Sequence, residues 1–172
     1  MKANYIFMSL MVVLLSACNN VPKYASYDEY PVYEGNDLEL QYSPQSSKFR
    51  VWAPTATEVK LLLYDNGADG AAYETVDMKR SDNGTWKKEI KENLKGKFYT
   101  FQVRIGEKWL DETPGMWVKA TGVNGKRAAI IDMDETNPDN WENDVRPALK
   151  NATDIILYEV HVRDFSVSPN SG

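Results

Sequence analysis

The sequence predicts an all-β protein built as a sandwich of short antiparallel strands. Phe49–Ala53 and Lys97–Ile105 each alternate apolar and polar residues with the period of two that a half-buried strand requires. Between them, Asn83 and Gly84 follow Asp82 as a hairpin signal, because Asn and Gly readily adopt the positive φ angles of a tight turn. No helical period of useful length precedes residue 140, and about seven short strands separated by turns are typical of a sandwich.

The individual strands are predicted from the same alternation. A first strand covers Leu38–Tyr42, where apolar and polar residues alternate. The strand from Phe49 ends at Pro54, which has no N–H to donate to a ladder. The run Val59–Tyr64 is rich enough in aliphatic residues to be an inner strand. Later strands are predicted at Thr75–Lys79, Thr85–Ile90, Lys97–Ile105, Lys108–Leu110 and Ala128–Ile131.

One motif in this pattern is specific. Phe49–Ala56 reads Phe-Arg-Val-Trp-Ala-Pro-Thr-Ala and resembles the start of carbohydrate-binding module family 48. That module is an early-set (E-set) immunoglobulin-like β-sandwich, which precedes the catalytic barrel in glycogen- and pullulan-debranching enzymes. The resemblance implies that residues 36–115 form such a module. Trp52, inside the motif, is assigned to packing.

A second resemblance lies near the C-terminal end. Ile156–Phe165 reads I-L-Y-E-V-H-V-R-D-F and resembles the first barrel strand of debranching enzymes of glycoside hydrolase family 13. Apolar residues fall on both faces of Ile155–Val162, as in a strand buried on both sides of a parallel sheet. Residues 153–172 are therefore predicted to begin a truncated (β/α)8 barrel. Because such a strand needs neighbours, we expect the chain to be the N-terminal fragment of a type I pullulanase.

Residues 116–152 are predicted to connect the sandwich to the barrel. Val123–Arg127 resembles the connector motif of type I pullulanases. The acidic stretch Asp132–Asp144 follows and is interpreted as a solvated linker. It begins like a calcium loop, but Asn137 stands where the loop requires Gly, so no metal site is predicted.

The N-terminus resembles a bacterial lipoprotein signal. Lys2 precedes the apolar run Tyr5–Leu15, which is too short to span a bilayer. Leu15–Cys18 matches the lipobox, and in that family of signals the chain is cut before the cysteine, whose thiol is then acylated. Cys18 is therefore the predicted lipidation site, and the alternative is an ordinary secretory signal with an incidental cysteine.

These segments give a domain plan and a location. Asn19 after the lipobox resembles lipoproteins sent to the outer membrane, so the protein is predicted to be lipid-anchored in a bacterial cell envelope. The plan has a signal peptide at 1–18, a tether at 19–35, the module at 36–115, a connector at 116–152 and the start of the barrel at 153–172.

Trp109 and Trp86 are the candidate sugar-binding residues, because flat rings stack on pyranose faces. In glycan-binding members of family 48, two tryptophans and a lysine on one sheet face grip maltosaccharide. Trp109, just after the Gly106 turn, stands where one of these tryptophans lies. Thr100 replaces the lysine of the Tyr-Lys-Phe pattern, and this departure predicts a weak response to maltosaccharide. Packing in the core or on a neighbouring domain is the alternative for both rings.

Catalytic residues are not predicted in this chain. The family needs two carboxylates about 5 Å apart, and these lie at the ends of later barrel strands. Glu159 and Asp164 stand five apart on one predicted strand, so they face opposite sides at about 16 Å and are not assigned. His161 is the only histidine, which excludes a catalytic triad or a histidine metal site. No cofactor is implied.

Function follows from these resemblances and from composition. A formal net charge of -5 argues against nucleic acid as a partner. We predict the N-terminal part of a pullulanase-type enzyme that hydrolyses α-1,6-glucosidic bonds in pullulan, starch or glycogen, with this fragment inactive by itself. The alternatives are a surface lipoprotein that only binds starch or maltosaccharides, and a structural sandwich that shapes the cleft of a neighbouring domain. An α-glucan is the partner both of the pullulanase-type enzyme and of the surface lipoprotein.

Overall fold

A computed structural model describes residues 23–171. These fall into two compact units, residues 23–135 and residues 136–171. The predicted signal peptide and the predicted lipidation site, Cys18, lie outside the described residues. Within residues 23–171, no helix is both long enough and apolar enough to cross a bilayer.

The first unit is a sandwich of two antiparallel sheets, which confirms the predicted all-β architecture. Its strands are β1 (Glu39–Ser43), β2 (Ser46–Trp52), β3 (Glu58–Tyr64), β4 (Glu74–Asp77), β5 (Lys79–Arg80), β6 (Thr85–Ile90), β7 (Phe98–Ile105), β8 (Lys108–Trp109) and β9 (Ala128–Ala129). One sheet has the order β1-β2-β6-β5, and the other has the order β4-β3-β7-β8 with β9 also paired to β7. Short 3-10 turns lie at Tyr27–Glu29, Asp82–Gly84, Val123–Gly125 and Met133–Thr136.

The core lies between the two sheets and is centred on three aromatic rings. Phe49 meets Tyr99 edge-on with ring centroids 5.1 Å apart, and Tyr99 meets Phe101 in the same way at 5.4 Å. Alternate residues of β3 are buried in this core, namely Val59, Leu61 and Leu63. The run Val59–Tyr64 forms an inner strand as predicted, because β3 lies between β4 and β7. Burial of these apolar side chains supplies most of the folding free energy.

The single strand predicted over Thr75–Lys79 is instead two strands in different sheets. Met78 lies between β4 and β5, and its N–H donates to the carbonyl of Val59 at 2.9 Å. Its side chain is buried in the core. The chain therefore crosses from one sheet to the other at Met78, since β4 pairs with β3 and β5 pairs with β6.

The predicted hairpin at Asn83 and Gly84 is confirmed. Both residues have positive φ, 48° and 73° respectively. Ser81 N–H donates to the carbonyl of Thr85 at 2.8 Å, so the loop between them spans three residues and not the two of the predicted turn. Gly84 is also required by space, because a Cβ there would lie 2.7 Å from the Cβ of Pro54.

The sandwich includes contacts from residues that precede and follow the predicted module range of 36–115. β9, from the predicted connector, pairs Ala128 and Ala129 with the start of β7, and Ile130 is fully buried in the core. At the other end, Trp52 Nε1 donates to the carbonyl of Pro31 at 3.0 Å. The described part of the predicted tether therefore contacts β2.

The second unit contains 3-10 turns at Trp141–Asn143 and Ala152–Asp154, and helix α1 (Val162–Ser166). The strand predicted over Ile155–Val162 is not formed. Residues 155–161 are irregular, have no ladder partner in the described part of the chain, and leave Ile156 and Leu157 85% and 88% exposed. His161 instead caps α1 by accepting the N–H of Asp164 at 3.4 Å. An inner parallel strand depends on hydrogen bonds from both neighbours, and residues 23–171 supply neither.

Candidate carbohydrate-binding face

The outer face of the second sheet carries the predicted residue Trp109. β8 pairs with β7 in the register Trp109 to Arg104, and Lys60 of β3 stands opposite Gln102 of β7. Side chains alternate along a strand, and the neighbours of Lys60 in β3 point into the core. The side chains of Lys60, Gln102, Arg104 and Trp109 therefore project from the same side of the sheet, and we call these four residues the Trp109 face.

Two cations lie against the half-buried ring of Trp109. The Lys60 Nζ is 4.6 Å from the ring centroid, and the Arg104 Cζ is 5.9 Å from it. Arg104 is also ion-paired with Glu58, and the Gln102 side-chain amide donates to a backbone carbonyl at 3.2 Å. The indole supplies a flat apolar surface, and the Lys60 ammonium, which lies over the ring, supplies three hydrogen-bond donors. Together they can stack on a pyranose ring and bond its hydroxyls.

Thr100, which replaces the family lysine, lies in a closed polar cluster. Its hydroxyl donates to Glu112 Oε2 at 2.8 Å, and the Tyr64 hydroxyl bonds the same oxygen. The Arg127 guanidinium stacks on Tyr64, with its Cζ 3.6 Å from the ring centroid. Burial and the hydrogen bond to Glu112 raise the pKa of the Tyr64 hydroxyl. The cluster therefore fills the position of the expected lysine.

The ammonium of this face comes from the neighbouring strand instead. Sequence reasoning missed Lys60, although a signal for it was present. It is the one charged residue inside the apolar run Val59–Tyr64, so alternation alone places it outward, next to the strand that leads to Trp109. The sequence pattern around Thr100 does not reveal Lys60, because the sequence of one strand does not show which residues of the neighbouring strand lie next to it.

Trp86, the other candidate, does not lie on the outer face of a sheet. It stands opposite Val51 on the core side of the first sheet and is 6% exposed. Its Nε1 donates to the carbonyl of Ala53 at 3.0 Å, and the guanidinium of Arg80 lies 4.6 Å from its ring centroid. Because its ring is buried in the core, Trp86 offers no platform to a sugar in this structure.

Two tryptophans of the first unit that were not candidates are more open than Trp86. Trp52, which was assigned to packing, is 40% exposed, and Trp117, which was not singled out, is 65% exposed. Trp52 ends β2 and Trp117 lies in the irregular chain after β8. Within residues 23–171, no group of three or more His, Cys, Asp or Glu side chains is arranged to hold a metal ion.

The outer sheet face of the β-sandwich thus presents a flat tryptophan ring together with the hydrogen-bond donors of a lysine. Residues 37–118 match the family carbohydrate-binding module 48 (isoamylase N-terminal domain). The chain is similar to a pullulanase from Bacillus subtilis, with 30% identity over 86% of this chain and 19% of that protein. It is similar to the chloroplastic pullulanase 1 of Arabidopsis thaliana, with 30% identity over 82% of this chain and 15% of the relative.

A solved structure gives the same relationship. The pullulanase of Paenibacillus barengoltzii, in complex with maltohexaose and α-cyclodextrin, is 45% identical with a TM-score of 0.76, over 85% of this chain and 22% of the other. Residues 37–118 therefore belong to carbohydrate-binding module family 48, and the chain is related to the pullulanases of glycoside hydrolase family 13. It spans less than a quarter of the length of each of these relatives.

Proposed function

We propose that this chain is the N-terminal part of a pullulanase-type debranching enzyme that hydrolyses α-1,6-glucosidic bonds. The observation that carries the proposal is the match over 82–86% of the chain to pullulanases, with residues 37–118 as their accessory type of module. The retaining reaction needs a nucleophilic carboxylate and an acid on later barrel strands. The chain by itself is therefore expected to hold α-glucan without cleaving it.

The Trp109 face is the proposed glucan-holding surface of the module. A glucan strand is neutral, so it needs an apolar plane and hydrogen-bonding groups more than a countercharge. The ring of Trp109 provides the plane, while Lys60 and Gln102 provide donors within reach of it. The face carries one tryptophan where the family pattern has two, and Thr100 stands in place of the family lysine, so we expect weak binding.

Attachment to the cell envelope is part of the same proposal. Cys18 would carry the lipid, and two or more acyl chains anchor a protein far more firmly than one. Labelling of the expressed chain with an alkyne fatty acid tests this step. We expect incorporation into the natural chain and none into a Cys18→Ser variant, and equal incorporation into both would refute the anchor.

Native electrophoresis of the purified chain through gels that contain pullulan tests glucan binding. We expect retarded migration that weakens in a Trp109→Ala variant, with a Trp141→Ala variant as the matched control. Trp141 is a half-exposed ring of the second unit and lies outside the Trp109 face. Equal migration of all three proteins with and without pullulan would refute this role of the face.

A further inference from the structure

A concave surface lies between the N-terminal segment and the irregular chain after β8. This cleft has a volume of about 590 Å³, and we call it the aromatic cleft. The volume is within the range of about 300–1,000 Å³ that small-ligand pockets have. None of the four residues of the Trp109 face lines it. Among the residues that do are Tyr27, Tyr30, Trp52, Thr113, Met116 and Trp117.

The cleft presents flat aromatic surface to solvent. Trp117 is 65% exposed and Tyr27 is 85% exposed, while Trp52 keeps 40% of its surface open. Trp52 is held in place, because its Nε1 donates to the carbonyl of Pro31 and its ring lies 6.0 Å from that of Tyr30. Clustered exposed apolar surface of this kind marks binding sites on soluble domains.

The charge of the lining favours a neutral occupant. Among the described residues that line the cleft, Glu39 is the only one with a carboxyl group, and none is a lysine, arginine or histidine. Glu39 is 4% exposed; its Oε1 accepts the N–H groups of Met116 and Trp117 at 3.1 and 3.4 Å, and its Oε2 is buried without a partner. Burial raises the pKa of this carboxyl, which disfavours its charged form. An anionic polymer would therefore find no countercharge in the cleft.

We infer that the aromatic cleft is a second binding site for an α-glucan segment, separate from the Trp109 face, with Trp117 and Trp52 as its stacking platforms. The identity of the ligand as α-glucan rests on the proposed function. The lining combines ring faces with tyrosine and threonine hydroxyls, and a pyranose has the same combination of apolar faces and polar edges. A purely apolar occupant would offer the exposed hydroxyls no hydrogen bond in place of the water that it displaces.

The five tryptophans of the chain give a direct test, because each indole N–H yields one resonance in a nitrogen–proton NMR spectrum. We expect titration of the full chain with maltoheptaose to shift the resonances of Trp117 and Trp52 and, with its own saturation curve, that of Trp109. The resonances of Trp86 and Trp141 should stay in place. Single variants assign the five peaks.

Two variants separate the sites. Trp117→Ala is expected to weaken the Trp52 titration at least about tenfold and to leave the Trp109 curve unchanged, whereas Trp117→Phe keeps most of the affinity. Trp109→Ala removes its own resonance and should leave the Trp117 and Trp52 curves unchanged. Trp117 is exposed, so its loss should not unfold the sandwich, and the unchanged Trp109 curve reports that directly.

Each other outcome overturns one part of the account. If Trp109 shifts while Trp117 and Trp52 do not, the cleft holds no glucan and the proposed function stands. If Trp117 and Trp52 shift while Trp109 does not, the cleft is a glucan site and the role of the Trp109 face fails. If a synthetic peptide of residues 155–162 shifts the cleft resonances and maltoheptaose does not, the occupant is an apolar chain segment and the inference is wrong.

Discussion

Glu39 is the most unusual side chain in the sandwich, and its replacement by glutamine gives the sharpest stability prediction. The register pairs it with Arg50, whose side chain lies on the outer face of the first sheet. Its φ of 69° nevertheless lies in the left-handed region, and its carboxyl turns inward to the backbone of Met116 and Trp117. A carboxyl in that position keeps two hydrogen bonds but loses its hydration.

The pH dependence follows from the pKa of this group. Burial raises the pKa of Glu39 above its ordinary value of 4.5, although the two backbone N–H groups oppose the shift. Between pH 4.5 and the raised pKa of the folded carboxyl, the unfolded chain has released this proton while the folded chain still holds it. Stability from this group is therefore complete below the ordinary pKa and falls as pH rises, by up to about 1.4 kcal/mol per pH unit, until the folded carboxyl also ionises.

Urea unfolding of the natural chain and of Glu39→Gln at intervals from pH 4 to pH 8 measures this contribution. Glutamine keeps the Oε1 acceptor and binds no proton, so the difference between the two free energies of unfolding isolates Glu39. We expect the natural chain to lose stability relative to Glu39→Gln as pH rises. Glu107→Gln, at the exposed turn between β7 and β8, is the matched control. Parallel profiles for the natural chain and Glu39→Gln would refute the reasoning.

Three further changes have defined outcomes. Gly106→Ala, at φ +59° with open space, should cost about 1–2 kcal/mol. Gly115→Ala should cost more than that, because φ is +103° and a Cβ would also displace the Glu39 carboxyl; thermal unfolding compares the two variants. Leu61→Ala, fully buried in β3, should cost about 2–5 kcal/mol in urea unfolding, and a loss below 1 kcal/mol would contradict its place in the core. Lys60→Met should weaken maltoheptaose binding, measured from the shift of the Trp109 resonance, about threefold to tenfold. Unchanged binding would show that the Lys60 ammonium does not contact the sugar.

Much of the sandwich was predictable because its determinants are local. The alternation at Phe49–Ala53 and at Lys97–Ile105, the proline that ends a strand and the Asn-Gly turn all depend on residues near one another in the chain. The structure places β2, β6 and β7 where those patterns predict them.

What the sequence did not reveal depends on contacts between distant segments. Glu39 looks like an outward polar residue, and only the approach of Gly115 and its successors explains its burial. Met78 sits inside a plausible strand, but the crossing between sheets is set by pairing with β3 and β6. Lys60 and Trp109 come together through β7, which separates them in the sheet.

The apolar segment at Ile155–Val162 has a clear local pattern for a strand but does not form one. Its composition fits a strand buried on both sides, yet residues 155–161 form no ladder within residues 23–171. Composition predicts the environment that a segment needs, and the fold forms only where that environment is supplied.

Hydrolysis of pullulan by the complete gene product tests the proposed function most directly. Pullulan consists of maltotriose units joined by α-1,6 bonds, so a debranching enzyme releases maltotriose, and we predict that product from the complete protein and none from residues 1–172 alone. Binding of pullulan without release of maltotriose by the complete protein would contradict the proposal and favour a surface protein that only captures glucan.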